Sequence, residues 1–186
     1  MRTHEDFQDR IRPKIIALLP PRLQRDLKDI PEPNFTLKQD NLYIYGKQCS
    51  GKTVLATFLM LREQEAIYLE GGPKDKQDCS ELITVVDLID KFKACYEKSY
   101  QGIPETQLLD HYQNLRFLVL DDFGAFKPTD WAVQLLYSII DHRYNWLKKT
   151  IFTSNLSLEQ VSIVLEDSRI TSRMDRMCEI VNKESF

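Results

Sequence analysis

From Gly46 to Thr53 the chain reads Gly-Lys-Gln-Cys-Ser-Gly-Lys-Thr, a spacing of glycine, lysine and hydroxyl that suits phosphate chemistry. Glycines at 46 and 51 let backbone N–H groups turn inward around phosphate oxygens, and a helix starting there adds a positive partial charge. In such a nest Gly46, Lys47, Gln48, Cys49, Ser50 and Gly51 form the cradle. Lys52 is placed to reach the β- and γ-phosphates of ATP, and the Thr53 hydroxyl to ligate Mg2+. Well downstream, Phe117-Leu-Val-Leu runs into Asp121-Asp122. An apolar strand ending in acids delivers carboxylates to the edge of a sheet where ligands bind in open α/β folds. Asp121 is expected to hold Mg2+ through its water shell, and Asp122 to polarise an attacking water. The plain alternatives are a chance glycine turn and acids that merely serve a turn or a helix cap. The full spacing, both flanks and the matching acidic strand together favour the phosphate site. Cys49 reads as a tolerated loop residue that could make the site sensitive to thiol reagents.

The elements that must position these residues alternate strand with helix. Leu42 to Tyr45 predicts a short strand running into the glycine turn, Lys52 to Leu61 a helix, and Ala66 to Leu69 a second strand. Thr84-Val-Val-Asp87 has the form of a capping box, opening a helix that carries Leu88, Phe92 and Tyr96. Phe117 to Leu120 is an uninterrupted apolar run, as in a strand buried on both faces. Ala132, Leu135, Leu136, Ile139, Ile140 and Tyr144 mark an amphipathic helix. Thr150 to Thr153 is the next strand, Ser157-Leu-Glu-Gln160 caps another helix, and a last strand is expected near Cys178 to Val181. This alternation predicts an α/β fold, a five-stranded, mainly parallel sheet between helices.

Residues 1–40 read differently, as a helical arm leading into a core of residues 41–186. Phe7, Ile11, Ile15 and Leu18 or Leu19 fall at helical spacing, as do Leu23, Leu27 and Ile30. Pro20-Pro21 should end one helix and start another. The chain of 186 residues, 42% apolar and 28% charged, has the composition of one folded domain. A net charge of −3 argues against a protein that coats nucleic acid by bulk charge. Four scattered cysteines without a paired spacing offer neither a zinc site nor a disulfide framework. No run approaches the ~18 apolar residues of a membrane span, and a reducing cytosol is the default location.

The last third of the sequence separates the phosphate-binding families. Lys148-Lys-Thr-Ile-Phe-Thr-Ser-Asn155 is an apolar strand with a polar tip, and Ser168-Arg169-Ile-Thr-Ser-Arg173-Met follows. With "VLDDFG" and "IIDHRYNWLKKTIFTSNLS", these segments resemble the AAA+ ATPases of the DnaC/DnaI helicase-loader and IstB transposition-ATPase group, over roughly Leu42 to Val181. The resemblance implies a P-loop NTPase core. It implies that Asn155 is the sensor-1 residue beside the γ-phosphate, and that Arg173 is an arginine finger acting on nucleotide held by a neighbouring subunit. Arg169 accompanies it one turn earlier. A guanidinium supplied in this way accelerates phosphoryl transfer by ~10³–10⁵, so a lone subunit is expected to hydrolyse ATP slowly. Arg169, Arg173 and Arg176 also suit a solvated helix face paired with Asp167, Asp175 and Glu179. Arg143 reads as a packing or surface arginine. The sequence departs from the group in having only a short arm and no full C-terminal lid, which leaves adenine coverage open.

The leading expectation is an ATPase that assembles with ATP through its nucleotide sites, contacts single-stranded DNA and delivers a replicative helicase. Residues 5–30 are the candidate helicase contact, against the alternative that both arm helices pack on the core. Lys91, Lys93, Lys98, Tyr96 and Tyr100 suit either single-stranded DNA or an ordinary exposed helix face. An IstB-like transposition helper is the second reading. A small-molecule kinase is the third, although the mobile arginine-rich lid it needs is not found.

Overall fold

Val119 and its neighbours in Phe117–Asp121 (strand β3) are all buried, as their unbroken apolar character requires. They lie in a sheet with Asn41–Tyr45 (β1), Ser80–Thr84 (β2), Lys149–Ser154 (β4) and Cys178–Asn182 (β5). The structure is a computed structural model that describes residues 2–35, 39–71, 80–97 and 102–183. Strand order is β2-β3-β4-β1-β5, with every pairing parallel. Leu42 faces Ile151 in register on one side of β1, and Glu179 on the other.

Side chains alternate across the sheet as the pleat demands. Leu42, Ile44, Phe117, Val119 and Ile151 pack on one face against Lys52–Leu69 (α4). Tyr43, Leu118, Leu120 and Phe152 pack on the other. That second face is covered by Val85–Ala94 (α5), Glu105–Asn114 (α6), Asp130–Asn145 (α7), Leu158–Leu165 (α8) and Ser168–Met177 (α9). Thr84 caps α5 by accepting a hydrogen bond from the Asp87 N–H, and Ser157 and Gln160 form a complete capping box on α8.

Two expectations are corrected. Ala66 to Leu69 is not a strand but the last turn of α4, which runs well past Leu61. Val54 through Leu61 are buried between sheet and arm, and the polar run Arg62-Glu-Gln-Glu65 that follows continues the helix instead of separating two elements. The strand that follows is Ser80–Thr84, at the edge of the sheet. In addition, α5 stops at Ala94, leaving Tyr96 beyond its end and 60% exposed.

The arm comprises His4–Asp6 (α1), a π-helical turn over Phe7–Ile11, Arg12–Ile16 (α2) and Pro21–Asp29 (α3). Proline at the first turn of α3 starts a helix at little cost, since its missing N–H has no partner there in any case. Phe7, Ile15, Leu23 and Leu27 form one cluster with Val54, Phe58, Leu61 and Tyr68 of α4. The apolar stripe of the arm therefore faces this chain's own core. Arg143, 0% exposed, is a packing arginine: it donates to the carbonyls of Tyr112, Leu115 and Lys149 and to the Thr150 hydroxyl, joining α6, α7 and β4 beneath the sheet. Burial holds its pKa down at about 9.

Candidate nucleotide site

β1 ends at Tyr45, and the next residues fold back as a loop before α4. Gly46 (φ 149°), Cys49 (φ 63°) and Gly51 (φ 79°) all take positive φ. Glycine meets that requirement at 46 and 51 without a Cβ penalty, and Cys49 adopts it in the exposed tip. Lys52 is the first residue of α4 and is buried. Its Nζ donates to Gly46 O at 3.0 Å, Lys47 O at 2.8 Å and Asn155 Oδ1 at 2.9 Å. Desolvation pulls its pKa below the ordinary lysine value, while the charges of Asp122 and Asp121 pull the other way. Ser50 Oγ is buried in the loop and has no hydrogen-bond partner among the described residues, a polar atom that a ligand oxygen would satisfy.

The acidic strand arrives where its apolar run predicted. The Thr53 hydroxyl donates to Asp121 Oδ1 at 2.8 Å, and the Thr153 hydroxyl donates to the same carboxylate. Burial raises the Asp121 pKa, against the opposing effect of these two hydroxyls. A buried carboxylate beside a threonine hydroxyl is a set of hard oxygen donors that fits Mg2+. Asp122, half-buried and with φ 55°, follows at the sheet edge, close enough for its charge to act on both Lys52 and Asp121. Asn155, just past the end of β4, completes the group through Lys52.

The two arginines lie elsewhere. Arg173 donates from Nε to Asp141 Oδ1 at 2.8 Å and from a terminal nitrogen to Tyr137 Oη at 3.2 Å. Arg169 pairs with Asp167 at 2.6 Å and lies over the Tyr137 ring at 4.6 Å. The pairing of Arg169 with Asp167 follows the helix-face expectation, whereas Arg173 reaches across to α7. Of the residues weighed for DNA, Lys91 is committed to Glu81 and the Tyr112 hydroxyl, each at 2.9 Å, and Lys93 to Asp90. Lys98 and Tyr100 lie outside the described residues.

Sequence reasoning did not find what lies behind the cradle. A cavity of about 740 Å³ opens between the loop and residues 30–35, with Pro31, Phe35, Val54 and Phe58 among its apolar walls. Arg62 ties that wall to α4 by donating to Glu32, to Phe35 O at 2.8 Å and to Pro33 O at 2.6 Å. An apolar pocket next to a phosphate nest is the shape that a nucleoside base requires.

Residues 19–185 match the family of IstB-like ATP binding proteins. The chain belongs to that family. Among its relatives, the replicative helicase loader DnaC of Escherichia coli K12 is 28% identical over 93 residues, which take in 50% of this chain and 37% of DnaC. The uncharacterized protein YqaM of Bacillus subtilis 168 is 24% identical over 148 residues, 76% of this chain and 41% of YqaM. The IstB-like chain thus aligns with less than half the length of either relative. A crystal structure of the DnaC helicase loader is 26% identical, with a TM-score of 0.58, covering 87% of this chain and 85% of that one. The replication initiator DnaA bound to AMPPCP and single-stranded DNA shares the fold at 16% identity and a TM-score of 0.60, covering 94% of this chain and 46% of that one. The architecture is that of an AAA+ P-loop core, in an ATP-binding family related to the DnaC helicase loader.

Proposed function

We propose that this chain is an ATPase that assembles with ATP, contacts single-stranded DNA and delivers a replicative helicase. The observation that carries the reading is the meeting of Lys52, Thr53, Asp121 and Asn155 at one edge of the sheet, while Arg173 is held by α7 residues. A second subunit is then needed to bring a guanidinium to the nucleotide. The likeness to DnaC supports the choice of client.

Thr53 and Asp121 would hold Mg2+, which when bound neutralises part of the phosphate charge. Lys52 exchanges its contacts with the loop carbonyls for β- and γ-phosphate oxygens. Asp122 accepts a proton from the attacking water as its oxygen bonds to the γ-phosphorus and the bond to ADP breaks. Asn155 orients the γ-phosphate, and Arg173 of the neighbour stabilises the charge that develops. The cavity beside residues 30–35 takes the adenine. On the arm, the buried apolar stripe leaves the outward side, with Leu18, Arg22 and Arg25, for the helicase.

The mass of the native assembly tests this reading, measured for the protein alone, with an ATP analogue, and with a host replicative helicase plus single-stranded DNA. An ATP-dependent oligomer that forms a stable complex with the helicase is expected. A monomer under every condition would contradict the reading. Filament growth on duplex DNA without helicase binding would transfer the function to the second reading, an IstB-like transposition helper.

A further inference from the structure

The last strand brings a second lysine to the phosphate cradle. β5 runs parallel to β1, with Val181 opposite Ile44 and Asn182 opposite Tyr45. One residue on, the Lys183 N–H donates to Tyr45 O at 2.6 Å. The Lys183 carbonyl lies so near the loop that a Cβ on Gly46 would stand 2.3 Å from it. Its side chain then turns under the loop, where Nζ donates to Gly51 O at 2.9 Å. Lys183 is 7% exposed and borders the cavity behind the cradle.

An ammonium is costly to bury, and more so beside another of the same sign. Burial first, and the Lys52 charge second, bring the Lys183 pKa down to about 8. The two lysines reach the nest from different directions. Lys52 comes from α4 and faces Asn155, whereas Lys183 comes from β5 and faces the cavity. Positive charge concentrated around inward-facing N–H groups is suited to a polyanion.

We propose that Lys183 is a second cationic ligand of the bound nucleotide, serving the phosphates nearest the base while Lys52 serves the β- and γ-phosphates. The proposal rests on the ATP reading and deepens it. Because Lys183 directly follows β5, phosphate binding also fastens the last strand to the loop.

Equilibrium titration of the unaltered protein, Lys183→Gln and Lys183→Arg with ATP, ADP and adenosine tests it, together with the melting temperature without ligand. Lys183→Gln is expected to weaken ATP and ADP by ~10-fold, as for a lost charge-assisted hydrogen bond, and to leave adenosine unchanged. Lys183→Arg is expected to keep most of the phosphate-dependent affinity. Unchanged ATP and ADP affinity in Lys183→Gln would overturn the proposal while leaving the ATP reading intact. Equal weakening of all three ligands with a lowered melting temperature would also overturn it, by assigning Lys183 a purely structural role. Failure of the unaltered protein to bind any nucleotide would remove the proposal and the ATP reading together.

Discussion

Arg173 is held at 2.8 Å by Asp141 of its own subunit, its guanidinium 5.3 Å from the centre of the Tyr137 ring. If Arg173 acts on a neighbour's nucleotide, assembly has to draw it away from α7. Arg173→Ala is then expected to leave nucleotide affinity unchanged and to lower turnover by the assembled protein by ~10³ or more. Asp141→Asn loosens the hold, and should lower by ~2–5-fold the protein concentration at which turnover reaches half its maximum. Steady-state ATPase assays across a concentration series read both. Full turnover by Arg173→Ala under assembling conditions would remove the arginine from this role.

Glu81 ties edge strand β2 to the helices beside it. Its carboxylate accepts from Lys91 Nζ and the Tyr112 hydroxyl, each at 2.9 Å, and lies 3.0 Å from His111 Nε2. Burial alone would raise its pKa, but these partners bring it from 4.5 down to about 2. The native state therefore holds the deprotonated form more tightly than the unfolded chain does. The stabilisation is complete above about pH 4.5 and is lost as pH falls to about 2. Allowing for its partial exposure, about 2 kcal/mol is expected. Denaturant titrations of the unaltered protein and Glu81→Gln should differ by that amount at pH 7 and converge in acid. A gap that persists to pH 2 would contradict this account.

Gly46 and Gly71 both take positive φ, yet their surroundings differ. Among the described residues a Cβ at 71 meets nothing within 4 Å, whereas one at 46 strikes the Lys183 carbonyl. Gly71→Ala is expected to cost only the conformational penalty, about 1 kcal/mol. Gly46→Ala adds overpacking, roughly 1–3 kcal/mol more, and displaces the end of β5. Thermal unfolding of the two variants separates the terms. Equal losses would mean that the loop and β5 do not press together.

Much of this arrangement was legible in the residues. Strand β3 showed itself as a continuous apolar run because both its faces are covered, and the helix caps at Thr84 and Ser157 are local hydrogen-bond patterns. The cradle was legible for the same reason, since its glycines, lysine and threonine are contiguous. The end of α4 was misread because Ala66-Ile-Tyr-Leu69 has the β-branched and aromatic character of a strand, and its exposed positions, Ala66 and Leu69, are apolar and mark no polar face. β2 was missed because Ser80-Glu-Leu-Ile-Thr84 is short and polar at its start, as an edge strand can be. Asp141, Lys183 and the wall at residues 30–35 reach their places only through tertiary packing. No short-range pattern could have joined Lys183 to Gly51, which are brought together by the parallel pairing of β5 with β1.

The central claim is that the loop from Gly46 to Thr53 holds a nucleotide through Lys52. Calorimetric titration of the unaltered protein and of Lys52→Ala with a non-hydrolysable ATP analogue and Mg2+ tests it most directly, with melting curves to show that both are folded. Saturable binding by the unaltered protein is expected, with an affinity ~10–100-fold weaker for Lys52→Ala. Equal affinity in the two folded proteins would contradict it.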